Sequence, residues 1–204
     1  MRAFVSLALL VLHLVAGEAA ASERVIVAFG DSLTAGLGVP ADQTYPARLG
    51  ERLRREGYDY KVVNAGVSGD TTAGGLRRVD WALRLKPEIV ILELGVNDAL
   101  RGQQLTSVRA NLEQLVTRFQ AAGARVLVLG MRLPPNYGTP YADEFYRLFS
   151  QVARGRNAPY LPFFLEGVGA VPSLNQPDGI HPTAEGYAIV VTHMWPYLQP
   201  LLRK

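Results

Sequence analysis

Four short polar segments contain the side chains best suited to chemistry, and these are Gly30–Leu33, Gly66–Asp70, Gly95–Asp98 and Asp178–Pro182. Ser32 offers a hydroxyl group, which is a poor nucleophile until a base takes its proton. His181 lies three residues after Asp178 and offers an imidazole, the side chain best suited to moving protons near neutral pH. These residue types are compatible with nucleophilic or acid–base catalysis. The alternatives are a helix-capping serine and ordinary polar loop residues.

The elements that must position these segments alternate along the chain. Apolar runs predict strands over 24–29, 60–63, 89–94 and 125–129, and a short fifth over 160–161. Such near-continuous apolar runs are typical of strands buried on both faces of a parallel sheet. Apolar residues at helical spacing predict helices over 45–53, 76–83, 108–119, 145–152 and 187–198. Pro196 is expected to kink or shorten the last helix.

This alternation predicts an α/β fold, namely a three-layer α/β/α sandwich with a doubly wound, five-stranded parallel sheet. In open sheets of this kind, ligands bind beyond the carboxyl ends of the strands. We therefore expect the four polar segments to converge on one edge of the sheet.

Composition limits the classes of protein that the chain can belong to. It has 204 residues, of which 49% are hydrophobic and 19% charged, as expected for one globular domain. The absence of cysteine excludes a disulfide framework, a thiolate zinc site and a cysteine nucleophile. The net charge is only +3 and the arginines are scattered, so we expect no nucleic-acid partner.

The first residues have the features of a secretory signal peptide. A positive start at Arg2 precedes an apolar run over 3–16, which is shorter than the ~20 residues of a membrane span. The small residues Ala19-Ala20-Ala21 then form an A-x-A cleavage site. We expect residues 1–21 to be removed, a mature domain over 22–204 with no stable membrane span, and a periplasmic or secreted location. An uncleaved N-terminal anchor is the alternative.

Three other catalytic or cofactor motifs do not fit the sequence. Ser32 and Thr34 stand where a dinucleotide-binding loop and a lipase-type nucleophile elbow, respectively, require glycine. The chain also contains no H-E-x-x-H motif and no histidine cluster, which argues against a zinc hydrolase.

The four segments together resemble the SGNH, or GDSL, hydrolase family, and within it the small exported bacterial thioesterases, lysophospholipases and arylesterases. The resemblance lies in Phe29–Gly36 (FGDSLTAG), Asn64–Gly69 (NAGVSG), Gly95–Asp98 (GVND) and Asp178–Pro182 (DGIHP). All four blocks occur in the family's order, and they span nearly the whole mature chain. One departure is Val96, where many members have a second glycine.

The resemblance implies a flavodoxin-like fold and a role for each matched residue. It makes Ser32 the nucleophile, His181 the base and Asp178 the residue that orients the imidazole. It also implies that the N–H groups of Ser32 and Gly66 and the side-chain amide of Asn97 bind the oxyanion.

Other carboxylates are given structural roles. Asp31 is expected to order the turn before Ser32, and Asp70 and Asp98 to accept hydrogen bonds from loop amides. Glu93 is a charge within an apolar strand, so burial without a partner would be costly. A partner or a position at the strand end is therefore expected.

The implied activity is hydrolysis of fatty-acyl esters and thioesters, including lysophospholipids and aryl esters, through an acyl-enzyme. We expect no metal or organic cofactor. We expect a monomer whose substrate is a small molecule. Apolar loop residues after the fourth and fifth strands, namely Leu133, Pro134, Tyr137 and Phe164, are candidates for lining an acyl groove. A carbohydrate O-deacetylase with the same residues and a catalytically silent binding module remain alternatives.

Overall fold

The computed structural model describes residues 23–204, so the predicted signal peptide lies outside the described residues. The strands are β1 (Val25–Gly30), β2 (Lys61–Gly66), β3 (Ile89–Glu93), β4 (Arg125–Leu129) and β5 (Tyr160–Leu161). The helices are α1 (Ser32–Ala35), α2 (Tyr45–Arg55), α3 (Thr72–Arg84), α4 (Val96–Leu100), α5 (Leu105–Ala121), α6 (Thr139–Gly155) and α7 (Ala184–Leu198). All five predicted strands and all five predicted helices are present.

The five strands form one parallel sheet in the order β2-β1-β3-β4-β5. This is the flavodoxin-like order, in which the chain reverses direction across the sheet between β1 and β3. Every residue of β3 is buried, as expected for a central strand covered on both faces. The α/β fold with a five-stranded parallel sheet is confirmed.

The register of the sheet brings the ends of three strands together. Gly30 at the end of β1 is paired with Gly66 on one side and with Glu93 on the other. The segments that follow these three residues therefore begin at the same edge of the sheet. Three of the four segments that are predicted to converge therefore do so at this edge.

Helices α2 and α7 pack against each other, and α5 packs between α3 and α6. The residues of α2 explain where this helix begins and which face it buries. The hydroxyl of Thr44 caps its first turn, Pro46 stands where no N–H partner is needed, and Leu49 and Leu53 are fully buried. Pro196 lies within the last turn of α7, which continues to Leu198.

None of the helices within residues 23–204 has the length and apolar character needed to cross a bilayer.

Candidate active site

Ser32 is the first residue of α1, directly after β1. Asp31 rather than Ser32 caps this helix, because its Oδ1 accepts a hydrogen bond from the N–H of Leu33 at 3.0 Å. The helix ends after one turn at Gly36, whose φ of 80° suits a glycine. The half-buried Ser32 hydroxyl therefore does not cap the helix. Its backbone N–H is used by no hydrogen bond within residues 23–204.

Ser32, His181 and Asp178 lie in one hydrogen-bonded row. The Ser32 Oγ is 2.9 Å from His181 Nε2, across 149 positions of sequence. On the other side of the ring, Nδ1 is 2.7 Å from Asp178 Oδ2. A proton on Nδ1 satisfies the carboxylate and leaves Nε2 as the acceptor that faces the serine.

The Asp178 carboxylate is held in its charged form by the loop that carries it. Its Oδ1 accepts hydrogen bonds from the N–H groups of Ile180 at 2.9 Å and His181 at 3.0 Å. These backbone donors, together with the His181 ring, lower the pKa of Asp178 to about 2. The group that orients the imidazole therefore remains an anion at any pH at which the protein would work.

Asn97 reaches the same place from the end of β3. Gly95 turns the chain with a φ of 120°, and Asn97 is the second residue of α4. Its side-chain Nδ2 donates to Asp31 Oδ2 at 2.8 Å. Because Asp31 immediately precedes Ser32, this bond places the Asn97 amide beside the nucleophile's turn.

The N–H of Gly66, in contrast, is already occupied, since it donates to Asn64 Oδ1 at 3.0 Å. A Cβ at Gly66 would lie 2.1 Å from the backbone N of Ala35. The glycine is therefore needed for close packing of α1 against β2. This geometry disfavours the predicted use of Gly66 as an oxyanion donor.

Gly69, in the same sequence block, has the free amide that Gly66 lacks. The N–H of Asp70 donates to the carbonyl of Val67 at 3.0 Å, which closes a turn with Gly69 at a φ of 77°. Within residues 23–204 the N–H of Gly69 makes no hydrogen bond. The turn lies next to the nucleophile, since the Val67 N–H donates to Gly30 O at 3.0 Å. The second glycine of the NAGVSG block was the available sequence signal.

Two carboxyl groups are buried behind Ser32. Glu93 is fully buried, and its Oε2 accepts from the Asp31 N–H at 3.2 Å and from the Thr34 hydroxyl at 2.9 Å. A partner or a strand-end position is expected for Glu93, and it has both, because it is the last residue of β3. Burial raises the pKa of Asp31 to about 6, against the effect of its hydrogen bonds. Burial, and then the charge of Asp31, raise the pKa of Glu93 well above its ordinary value.

Asp70 and Asp98 have the loop-ordering roles predicted for them. Asp98 Oδ2 accepts from the N–H of Thr72 at 2.8 Å, and Asp70 Oδ1 accepts from the N–H of Thr71 at 3.0 Å. Within residues 23–204, no three His, Cys, Asp or Glu side chains cluster as a metal site would need.

The candidate acyl-groove residues fall into different environments. Pro134 is exposed, Tyr137 is half-buried, and Leu133 is 9% exposed. Phe164 is 0% exposed and packs edge-on against Tyr45 with ring centroids 5.2 Å apart. Phe164 therefore lies in the core and is not available to line a groove. Because β5 has only two residues, it shows no alternation of buried and exposed positions from which the direction of the Phe164 side chain could have been predicted.

A model of the GDSL-like Lipase/Acylhydrolase family matches residues 28–189. The chain belongs to this family. The match begins just before the Ser32 turn and extends beyond His181, so it includes every block of the site.

Curated relatives match over nearly the full chain. An esterase, TesA, from Pseudomonas aeruginosa is 45% identical over 203 residues, which cover 99% of this chain and 100% of the relative. A thioesterase 1/protease 1/lysophospholipase L1 from Escherichia coli is 38% identical, with coverage of 95% and 91%. A crystal structure of TesA superimposes with a TM-score of 0.85 at 46% identity, covering 88% of this chain and 100% of that one.

Proposed function

We propose that the protein is a serine esterase that hydrolyses carboxylic fatty-acyl esters and thioesters, including lysophospholipids and aryl esters. The observation that carries this proposal is the row formed by Ser32 Oγ, His181 and Asp178, with contacts of 2.9 and 2.7 Å. A hydroxyl, a base and an orienting carboxylate in this order are the groups that acyl transfer requires.

In the first half-reaction, His181 Nε2 takes the Ser32 proton as Oγ attacks the carbonyl carbon of the ester. The tetrahedral intermediate collapses, the bond to the leaving oxygen or sulfur breaks, and His181 returns the proton to that atom. The acyl group is then bonded to Ser32. Asp178 stabilises the imidazolium in both steps because it is charged throughout.

In the second half-reaction, water replaces the serine as nucleophile. His181 takes a proton from the water, the hydroxide adds to the acyl carbon, and the C–O bond to Ser32 breaks. The serine oxygen recovers a proton from His181, and a carboxylic acid leaves. Every proton therefore passes through His181 Nε2, which already contacts the Ser32 hydroxyl.

The negative charge that develops on the carbonyl oxygen needs donors fixed in advance. We propose the N–H of Ser32, the Nδ2 of Asn97 and the N–H of Gly69, which the geometry favours over the occupied N–H of Gly66. Loss of one such donor typically lowers turnover by ~10²–10³.

The acyl chain requires an apolar surface beside the nucleophile. We propose that Leu133, Pro134 and Tyr137, in the loop after β4, form one side of it. The chemistry of the relatives, named as an esterase and as a thioesterase and lysophospholipase, supports a substrate with a hydrophobic acyl group. We further propose a monomer that acts after export to the periplasm or outside the cell. N-terminal sequencing of the exported protein should begin near residue 22, whereas a start at Met1 or Arg2 would disprove removal of the leader.

Turnover of a chromogenic short-chain aryl ester by the wild type and by Ser32→Ala tests the activity. We expect the variant to lose orders of magnitude, ~10⁶ in a well-studied serine protease. Ser107→Ala, an exposed serine on α5, is the matched control and should behave as wild type. A phosphonate ester should add one label per chain, seen by mass, in the wild type but not in Ser32→Ala.

Substrate class is tested in parallel with a fatty-acyl thioester, a lysophospholipid and an acetylated xylo-oligosaccharide. Preference for the two fatty-acyl substrates is expected. Preference for the acetylated sugar would indicate the O-deacetylase instead. Turnover of none of them, combined with no phosphonate label, would indicate a binding module.

A further inference from the structure

Two buried carboxyl groups, those of Asp31 and Glu93, take no part in the catalytic steps described above. Asp31 and Glu93 are each 0% exposed. Glu93 Oε1 is buried without any hydrogen-bond partner in residues 23–204. Burying such groups is costly, and a Cβ at the neighbouring Gly30 would lie only 2.5 Å from Glu93 Oε2.

The pair is joined to Asn97, one of the proposed oxyanion-binding groups. Glu93 Oε2 receives the Asp31 N–H, Asp31 Oδ1 receives the N–H of Leu33, and Asp31 Oδ2 receives Asn97 Nδ2 at 2.8 Å. An Asn side chain can rotate its amide about the last torsion, which would exchange its oxygen for its nitrogen. A carboxylate that only accepts hydrogen bonds removes this choice, because it can face only the nitrogen.

We propose that Asp31 and Glu93 are positioning residues for the oxyanion-binding amide: Asp31 fixes Asn97 with its nitrogen side toward the reacting carbonyl, and Glu93 fixes Asp31. The proposal rests on the proposed function, since it concerns the oxyanion of that reaction. Asp31 does not touch the substrate and acts only through Asn97.

The protonation of the pair is consistent with this role. Two neighbouring buried carboxylates beside a forming oxyanion would place three negative charges together, so the stable arrangement has one proton, held by Glu93, and leaves Asp31 as the acceptor. The raised pKa values of both carboxyls agree with it. Four other ionisable groups lie nearby, namely Tyr45, Tyr187, His181 and Arg78. Tyr45 donates a hydrogen bond to Thr34, and Arg78 donates one to Gly30 O.

Asp31→Asn is the informative substitution. It preserves shape, but its single oxygen cannot serve both Leu33 and Asn97, so its nitrogen must face one of two donors. We expect kcat on the aryl ester to fall on the order of 10- to 100-fold with little change in KM. Glu93→Leu should also lower kcat, and Glu93→Gln should recover most of the loss because the Gln amide can still accept from Thr34.

A double-mutant cycle with Asn97→Ala separates positioning from general structural damage. If Asp31 acts through Asn97, Asp31→Asn will cost less than about threefold in an Asn97→Ala background. Equal costs in both backgrounds would overturn the proposal. So would an unchanged kcat in Asp31→Asn, or a Glu93→Gln as impaired as Glu93→Leu.

The cycle is run only after the wild type has shown phosphonate labelling at Ser32, so that failure of the proposed function is recognised separately. If Asp31→Asn does not fold, the comparison of Glu93→Leu with Glu93→Gln is made in both Asn97 backgrounds. If Glu93→Gln keeps a higher kcat than Glu93→Leu only when Asn97 is present, the proposal is supported. If the difference persists in the Asn97→Ala background, the proposal is contradicted.

Discussion

Gln176 Nε2 donates a hydrogen bond of 2.7 Å to the carbonyl of Leu37, 139 residues earlier in the chain. The same nitrogen donates to Pro182 O at 3.1 Å, and the Gln176 N–H donates to His181 O at 2.8 Å. One side chain thus joins the loop of the base to the loop of the nucleophile. The contact between Ser32 and His181 depends on two distant loops being held in one relative position, and Gln176 is a second polar group that connects them.

Gln176→Ala removes both side-chain hydrogen bonds and should therefore loosen the approach of His181 to Ser32. Each bond contributes about 1 kcal/mol, so we expect the loss of both to lower kcat by up to about 30-fold, with the loss growing as temperature rises. Gln114→Ala, at an exposed position on α5, is the control. Equal kcat values in the two variants across temperature would show that the loops are held by other contacts.

The two glycines of the NAGVSG block should respond to substitution in opposite ways. Gly66→Ala places a Cβ 2.1 Å from backbone and should greatly lower the free energy of unfolding. Gly69 is exposed and has a φ of 77°, so Gly69→Ala should lower the free energy of unfolding by only about 1 kcal/mol. The substitution should nevertheless displace the turn and lower kcat by at least ~10². Denaturant unfolding and kcat are measured on both. A stable, fully active Gly69→Ala would return the donor role to Gly66.

The sequence predicted the sheet because most of its strands contain apolar runs, and it predicted the candidate site because three motifs follow β1, β2 and β3 and the fourth precedes α7. It missed the short helices Ser32–Ala35 and Val96–Leu100, which are too short to show a helical period. It predicted a partner or a strand-end position for Glu93 but could not name Thr34, 59 residues away. The choice between Gly66 and Gly69 depended on a side-chain contact of Asn64, which spacing does not reveal.

Asp178 should make no contribution to the acid side of the pH–rate profile. Its pKa is lowered to about 2, so this carboxylate stays charged while Asp31, whose pKa is raised to about 6, takes up a proton as the pH falls. We expect no change of slope in log kcat/KM around pH ~4, where an ordinary aspartate takes up its proton. A change of slope there would contradict a permanently charged Asp178. Asp178→Asn should lower kcat by ~10⁴, as loss of the corresponding carboxylate does in a serine protease.

The sign of the stability effect of Asp178 also follows from its pKa. Its folded-state value of about 2 lies below the ordinary 3.8, so the folded chain binds this proton less readily than the unfolded chain. The stabilisation is present above pH ~4 and is lost as the pH falls toward ~2. The difference in unfolding free energy between wild type and Asp178→Asn should therefore shrink on acidification.

Glu93 should produce the opposite dependence, because its pKa and that of Asp31 are raised in the folded chain. The folded protein then holds protons that the unfolded protein releases, and stability falls as the pH rises from ~4 through ~6. Glu93→Gln removes one of the two titrating groups. Relative to wild type, this variant should gain unfolding free energy as pH increases over that range. A constant difference between the two proteins would mean that the pair does not hold a proton.

Substitutions at Tyr137 and Phe164 should distinguish the proposed acyl groove from the core beneath it. Each methylene of a buried acyl chain contributes about 0.8 kcal/mol, so log kcat/KM should rise with chain length in the wild type until the groove is filled. Tyr137→Ala should flatten this rise without a large loss of stability, because Tyr137 is only half-buried. Phe164→Ala should leave the slope unchanged and cost about 3–5 kcal/mol of unfolding free energy, because Phe164 packs against Tyr45 and is 0% exposed. A chain-length series of aryl esters and denaturant unfolding provide both measurements. A flattened slope in Phe164→Ala together with an unchanged slope in Tyr137→Ala would place the acyl chain elsewhere in the molecule.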